Sequence, residues 1–269
     1  MASGSQSLGT GYNNASVQGL SLISGATGGS PQGIYEESST QEYPIGQLRE
    51  FEDGRCFRYT SFAATAVPAG RLVAPDQSAT SLGRTTSGVP ATAAGEKEFS
   101  ITLASVTANQ YAGGIIHFVA TAAANAGGTS YRIKSNSATG ATTSGKVDFV
   151  LYDGLAAALT TSTYYAISSS PYNTVVITDV TQASVDDFIV AGVTMRAMTA
   201  SYYGWIQTAG IATILCDGAT TAADILTCSD GVNGAVQIQD AYTEPIIGFA
   251  TFAATDAEHG GVMLSGLER

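Results

Sequence analysis

Residues 190–210 read VAGVTMRAMTASYYGWIQTAG and hold the only tryptophan of the chain, within Tyr202-Tyr203-Gly204-Trp205-Ile206-Gln207-Thr208. A short apolar stretch leads into a polar turn, then into a run of aromatic and β-branched residues, types that suit a pleated surface. Ile211-Ala212-Thr213-Ile214-Leu215-Cys216 follows and ends at Asp217-Gly218. The pattern predicts three short strands in a meander, with Trp205 on the core of a sheet. Nothing in the stretch has the makings of a catalytic centre. The fold class expected from it is all-β, built of β-barrel or β-sandwich modules.

The same punctuated pattern extends in both directions. Asp53-Gly54 is a turn followed by alternation over Cys56-Phe57-Arg58-Tyr59. Strands are expected at Phe99-Ser100-Ile101-Thr102-Leu103, at 114–121, at 129–136 and at 146–152, the last closed by Asp153-Gly154. Further strands are expected at 163–167, 174–178, 235–238, 245–252 and 261–267, and a short helix at 154–159. Short strands at close spacing predict a barrel or sandwich rather than βαβ units. Small residues alternate with large ones around Ile247 and Phe249, which suits close sheet packing or a tight subunit interface.

Composition narrows the function. The chain has 269 residues, of which 44% are hydrophobic and only 12% charged, about half the usual charged share. Its surface polarity must come from hydroxyls, amides and exposed backbone. With 11 basic against 22 acidic residues the net charge is −11. No basic cluster is present, so direct nucleic-acid contact is not expected. No apolar run reaches the roughly 18 residues of a membrane span. The opening MASGSQSLGTGYNN has neither a positive segment nor a long apolar segment, so no signal peptide is expected.

Candidate chemistry is sparse. Cys56, Cys216 and Cys228 lack metal-ligand spacing and are expected to be small buried residues; a Cys216–Cys228 pair across a hairpin is the alternative. His117 sits in an apolar strand. His259 neighbours Asp256 and Glu258 in a predicted hairpin loop, the nearest approach to an acid–base pair. Asp186-Asp187, Asp217, Asp224 and Asp230 fit no calcium-loop spacing. Tyr164-Tyr165, Tyr202-Tyr203 and Trp205 suit a sugar-binding face, or a core or interface, which is favoured. No catalytic residue, metal ligand or cofactor site is expected, and the chain is not expected to be an enzyme.

The first 48 residues contain no Lys or Arg and are rich in Gly, Ser, Gln and Asn, yet apolar residues interrupt them: Leu8, Tyr12, Val17, Leu20, Leu22, Ile23, Ile34 and Tyr35. Such anchors predict an extended N-terminal arm over 1–48 that orders against another surface.

Several segments resemble the tailed-bacteriophage virion proteins that decorate, or cement, the capsid. They are Arg55-Cys56-Phe57-Arg58-Tyr59, Val67-Pro68-Ala69-Gly70-Arg71-Leu72, Thr107-Ala108-Asn109-Gln110-Tyr111-Ala112-Gly113-Gly114, Tyr131-Arg132-Ile133-Lys134-Ser135, Ser170-Pro171-Tyr172-Asn173, Tyr203-Gly204-Trp205-Ile206-Gln207-Thr208 and Glu244-Pro245-Ile246-Ile247-Gly248. The resemblance covers roughly residues 50–267, and its motifs are structural. It implies a structural homotrimer on the outer capsid surface of the virion, whose partners are the major capsid protein and its own copies. The 1–48 arm would run along the capsid. A barrel-like body of 49–75 and 179–269 would carry an inserted β-rich domain of 76–178, larger than a minimal decoration module needs. Tyr202, Tyr203, Trp205, Ile206, Ile247 and Phe249 would serve as core or subunit packing. A head fibre, tail component, or receptor- or carbohydrate-binding module is the alternative.

Overall fold

The computed structural model describes residues 32–76, 89–119, 128–141, 145–180, 189–242, 244–265 and 267. The fold is all-β, with two sheets. The larger sheet contains β1 (Glu37–Ser38), β2 (Leu48–Glu50), β3 (Cys56–Ser61) and β4 (Leu72–Pro75). The smaller contains β5 (Glu98–Thr102), β6 (Ile115–Val119), β7 (Thr129–Asn136), β8 (Lys146–Leu151) and β9 (Tyr164–Ser168), in the order β5-β8-β7-β6-β9. The chain then returns to the larger sheet with β10 (Val175–Ile177), β11 (Gly192–Thr194), β12 (Tyr203–Leu215), β13 (Ile225–Cys228), β14 (Val236–Ile238), β15 (Gly248–Ala250) and β16 (His259–Leu264). No helix occurs among the described residues, so the helix expected at 154–159 is absent. That stretch instead pairs with residues 92–96: Thr92 and Leu159 exchange backbone hydrogen bonds, and Gly95 N donates to Leu155 O.

The strand β12 is the spine of the larger sheet. The sequence predicts two strands here with a turn between them; the structure has one strand of 13 residues. Gly210 is where a turn was expected, and it has φ +80°, with the register shifting between Gln207 and Ala209. The chain kinks there without reversing, as a bulge allows. Before the kink, β12 is flanked by β3 and β11, and residues 204–208 are all buried. After it, β12 pairs with β16 and alternates: Ile211 and Thr213 face out while Ala212 and Ile214 are buried.

Each half of β12 belongs to a ring of strands. In the first, β3, β12, β11, β4 and β10 follow one another, and a parallel bridge from Phe62 to Val175 ties β10 back to the end of β3. In the second, β12, β16, β15, β13 and β14 follow one another, and a Cys216–Val236 bridge closes the circuit. The rings enclose two core clusters, and Leu72 and Ala74 of β4 and Val193 of β11 turn from the first ring into the second cluster. Phe57, Tyr59, Phe62, Val73, Val175 and Trp205 belong to the first, and Ala212, Ile214, Leu226, Val236, Ile247 and Val262 to the second. Closure leaves few unpaired strand edges.

The smaller sheet is inserted between two hydrogen-bonded neighbours. The chain leaves at β4 and returns at β10, which pair antiparallel with Pro75 opposite Val175, and Asp76 N donates to Thr174 O at 2.8 Å. Entry and exit are therefore adjacent, the geometry that lets a domain be inserted without disturbing its host. The insert has a separate core that includes Phe99, Ile116, Phe118, Ile133, Phe149 and Tyr165. Its sheet ends at Ser168, and β10 belongs to the host, so the boundary read at 178 falls one strand late.

The host also begins earlier than residue 49. β1 pairs with β12, Gln32 is buried and donates to Tyr203 O at 3.1 Å, and Ile34 packs on the Trp205 core. Of the predicted arm anchors, Leu8, Tyr12, Val17, Leu20, Leu22 and Ile23 lie outside the described residues. Tyr35 is exposed on the body.

Candidate functional site

The aromatic residues around Trp205 form a core. Tyr59 and Tyr43 meet the indole at centroid separations of 5.1 and 5.3 Å, and Tyr203 stacks on Tyr59. Trp205 and Ile206 are buried; Tyr202 and Tyr203 are half-buried. The Tyr59 hydroxyl donates to Gln32 Oε1 at 2.9 Å and accepts from Glu42 N at 3.1 Å. Burial pushes its pKa up to about 12. Tyr165 is buried in the insert. Tyr59, Tyr165 and Trp205 are thus too buried to offer a sugar-stacking face, while Tyr164, Tyr202 and Tyr203 are half-buried.

An exposed apolar row crosses the second ring. The register places Ile225 opposite Phe249, Phe249 opposite Met263, and Met263 opposite Ile211. One side chain from each of four adjacent strands thus stands on the outer face. They are 40%, 41%, 47% and 54% exposed in that order, although each is a large apolar group. Phe252, also exposed, extends the row: its ring lies over Gly261, where a Cβ would come within 2.5 Å of it. Ile247, expected to share a packing role with Phe249, is buried in the ring's core. Ile247 lies just before β15, outside the strand whose alternation turns Phe249 outward.

A second surface is a cleft of about 1000 Å³ between the insert and the host. On one wall, β7 contributes Arg132 and Lys134, exposed and two residues apart on one face. Residues 105, 107–110, 112 and 113 form a second wall, and 41–45, 173–174, Ser201 and Tyr203 line the host side. The two bodies are clamped at its base. Asn173 Nδ2 donates to the carbonyls of Asn109 and Gln110 at 3.2 and 3.0 Å, and its Oδ1 accepts from the Ser61 hydroxyl at 2.9 Å. Arg132 also reaches across, with Nη2 3.4 Å from Ile45 O.

The residues weighed for chemistry have structural positions. His117 hydrogen-bonds Ser130 Oγ and Ser168 Oγ, both at 3.0 Å, across β7 and β9. His259 is a strand residue opposite Leu215, not part of a loop as predicted, and its ring lies against Gly70. Asp256 accepts from Gly218 N, and Glu258 accepts from Thr255 N and Oγ1. The Thr255 hydrogen bonds, backbone first, hold the Glu258 carboxyl below its usual pKa. Both carboxylates therefore brace turns. Asp224 accepts from Thr221, and Asp217 from the Ser229 hydroxyl. Asp186 and Asp187 lie outside the described residues. No group of three or more metal-ligating side chains is assembled among the described residues. All three cysteines are free and buried, so the Cys216–Cys228 pairing is not formed.

Sequence inspection singled out Phe249 but missed its three partners and the whole cleft. The only prior signal for the row was one exposed apolar residue per strand, which does not reveal which strands are neighbours. No family model, curated protein or solved structure matches the chain.

Proposed function

We propose that this chain is a structural virion protein that decorates the outer capsid surface of a tailed phage as a homotrimer and clamps neighbouring major capsid subunits. The phage context rests on the resemblance of the segments between Arg55 and Gly248. The mode of action rests on one observation, the row Ile225–Phe249–Met263–Ile211 on the outer face of the second ring. A contiguous exposed apolar row on a hydrogen-bonded sheet marks a surface that another protein covers. Its occupant in this reading is a sister copy, and three copies then present three capsid contacts to one lattice. Linked modest contacts yield tight attachment by effective concentration. The low charge of the chain suits such a surface, because desolvating few ions costs little.

The test is the mass of the full-length protein by light scattering, alone and as Phe249→Glu, followed by occupancy on emptied phage shells. A trimer that the variant dissociates, with parallel loss of shell binding, supports the reading. A wild-type monomer at micromolar concentration, or a variant that stays trimeric and binds shells, overturns it.

A further inference from the structure

Four of the six non-glycine residues with positive φ among the described residues line the cleft between insert and host: Ser105, Asn109, Thr174 and Ser201, at φ 60°, 60°, 59° and 62°. Such conformations disfavour L-residues and persist where the surrounding structure requires them, often at binding sites. These four come from both bodies and from segments far apart in sequence, so no single turn motif explains their convergence.

The charge of the cleft departs from that of the chain. Its lining contains two cations, Arg132 and Lys134, against one acid, Glu42, while the whole protein carries −11. The Glu42 carboxylate accepts hydrogen bonds from Thr40 Oγ1 at 2.8 Å and Ser38 Oγ at 3.3 Å. Arg132 is held over the Tyr152 ring, 5.0 Å from its centroid. Lys134 has no hydrogen-bond or ion-pair partner among the described residues and stands exposed beside it. Around these cations the lining is mainly hydroxyl and amide, including Ser105, Asn109, Ser135, Thr174 and Ser201. The volume of about 1000 Å³ is at the upper end of small-ligand sites.

We propose that this cleft binds an acidic oligosaccharide, with Lys134 and Arg132 receiving a sugar carboxylate and the Asn109 amide and neighbouring hydroxyls receiving ring hydroxyls. A cation pair selects the carboxylate, and polyol recognition calls for the amides and hydroxyls that surround it. An acidic peptide would call for an open strand edge or side-chain pockets, and a hydroxyl-lined wall supplies neither. The site lies within one copy of the chain, so it does not depend on the oligomer or on capsid attachment.

Titration calorimetry of the full chain tests it with three probes: tetragalacturonate, maltotetraose and tetraglutamate. Tetragalacturonate is expected to bind, and to bind more weakly as salt is raised. Lys134→Gln should weaken it roughly tenfold, the loss of one charge-assisted hydrogen bond. Asn109→Gly keeps the positive φ accessible while removing the amide, and should weaken binding with unchanged thermal unfolding. Absence of tetragalacturonate binding at millimolar concentration overturns the proposal. So does equal binding of maltotetraose or tetraglutamate, or indifference to both substitutions.

Discussion

The guanidinium of Arg49 lies over the indole of Trp205, with Cζ 4.4 Å from the ring centroid, while its Nη1 donates to Gln32 O at 3.2 Å. One side chain thereby joins β2, the N-terminal segment around Gln32 and the spine strand β12. Trp205 is 1% exposed and its Nε1 has no hydrogen-bond partner among the described residues. The indole therefore contributes through packing and through its face. Arg49→Ala should destabilise the protein by roughly 1–2 kcal/mol, the value of a partly desolvated cation–π contact, and should red-shift the emission of the single tryptophan. Equilibrium urea unfolding followed by fluorescence measures both.

The kink in β12 is open to a matched pair of substitutions. Gly210 and Gly218 have nearly the same φ, +80° and +86°. A Cβ on Gly210 would come within 2.8 Å of Arg55 Cγ and 3.0 Å of its Cα, whereas one on Gly218 would meet nothing within 4 Å. Gly218→Ala should cost about 1–2 kcal/mol, the left-handed penalty alone. Gly210→Ala should cost more, because the backbone at Arg55 must also shift. Equal losses in thermal unfolding would show that the Arg55 contact is not a constraint.

Stability should fall in alkali. Burial raises Tyr59 from 10.0 to about 12; burial first, then the charge of Glu244, raises Cys228 from 9.0 to about 12. A raised folded-state pKa means that the unfolded chain releases these protons first. Their contribution is whole below the unfolded values and is lost as pH rises through the interval between unfolded and folded values, 9 to 12 for the thiol and 10 to 12 for the phenol. The slope is at most about 1.4 kcal/mol per pH unit for each group. Tyr59→Phe and Cys228→Ala should each flatten urea midpoints plotted against pH over the corresponding interval.

The same burial should silence the thiols. Cys216 and Cys228 are each 1% exposed, and both have raised pKa values. Only the thiolate reacts, so alkylation of the native protein at neutral pH should leave both unmodified, as read by peptide mass spectrometry. All three cysteines should react in denaturant, without reductant, because none is paired. Modification of Cys228 in the native state at the unfolded rate would contradict its placement in the core.

Strand content was legible because alternation is local: residues 129–136 read as a strand and form β7 with those bounds. A glycine before Ile211 suits a turn and a bulge equally, and the backbone packed against Gly210, that of Arg55, is far off in sequence. Pairing was less legible still. Val175 lies opposite Pro75 across an entire inserted domain, and no local pattern encodes that register. The cleft suffers from the same blindness. Asn173 meets Asn109 and Gln110 only once the insert has docked, and nothing local to either segment encodes that contact.

The second ring permits a strict test of register. Met263 and Val262 are sequence neighbours on β16, yet Met263 is 47% exposed, opposite Ile211 and Phe249, while Val262 is 1% exposed, opposite Ala212 and Ala250. Adjacent strand residues point to opposite faces. Met263→Lys should leave the stability of the dilute, dissociated chain within about 0.5 kcal/mol of wild type, and should weaken self-association by charging the apolar row. Val262→Lys should unfold the ring, because a buried unpaired ammonium costs several kcal/mol against a total stability on the order of 5–15 kcal/mol. Circular dichroism reads the fold, and sedimentation across a concentration series reads association. A register slip of one residue would exchange the two phenotypes, so the pair also checks that the apolar row faces outward.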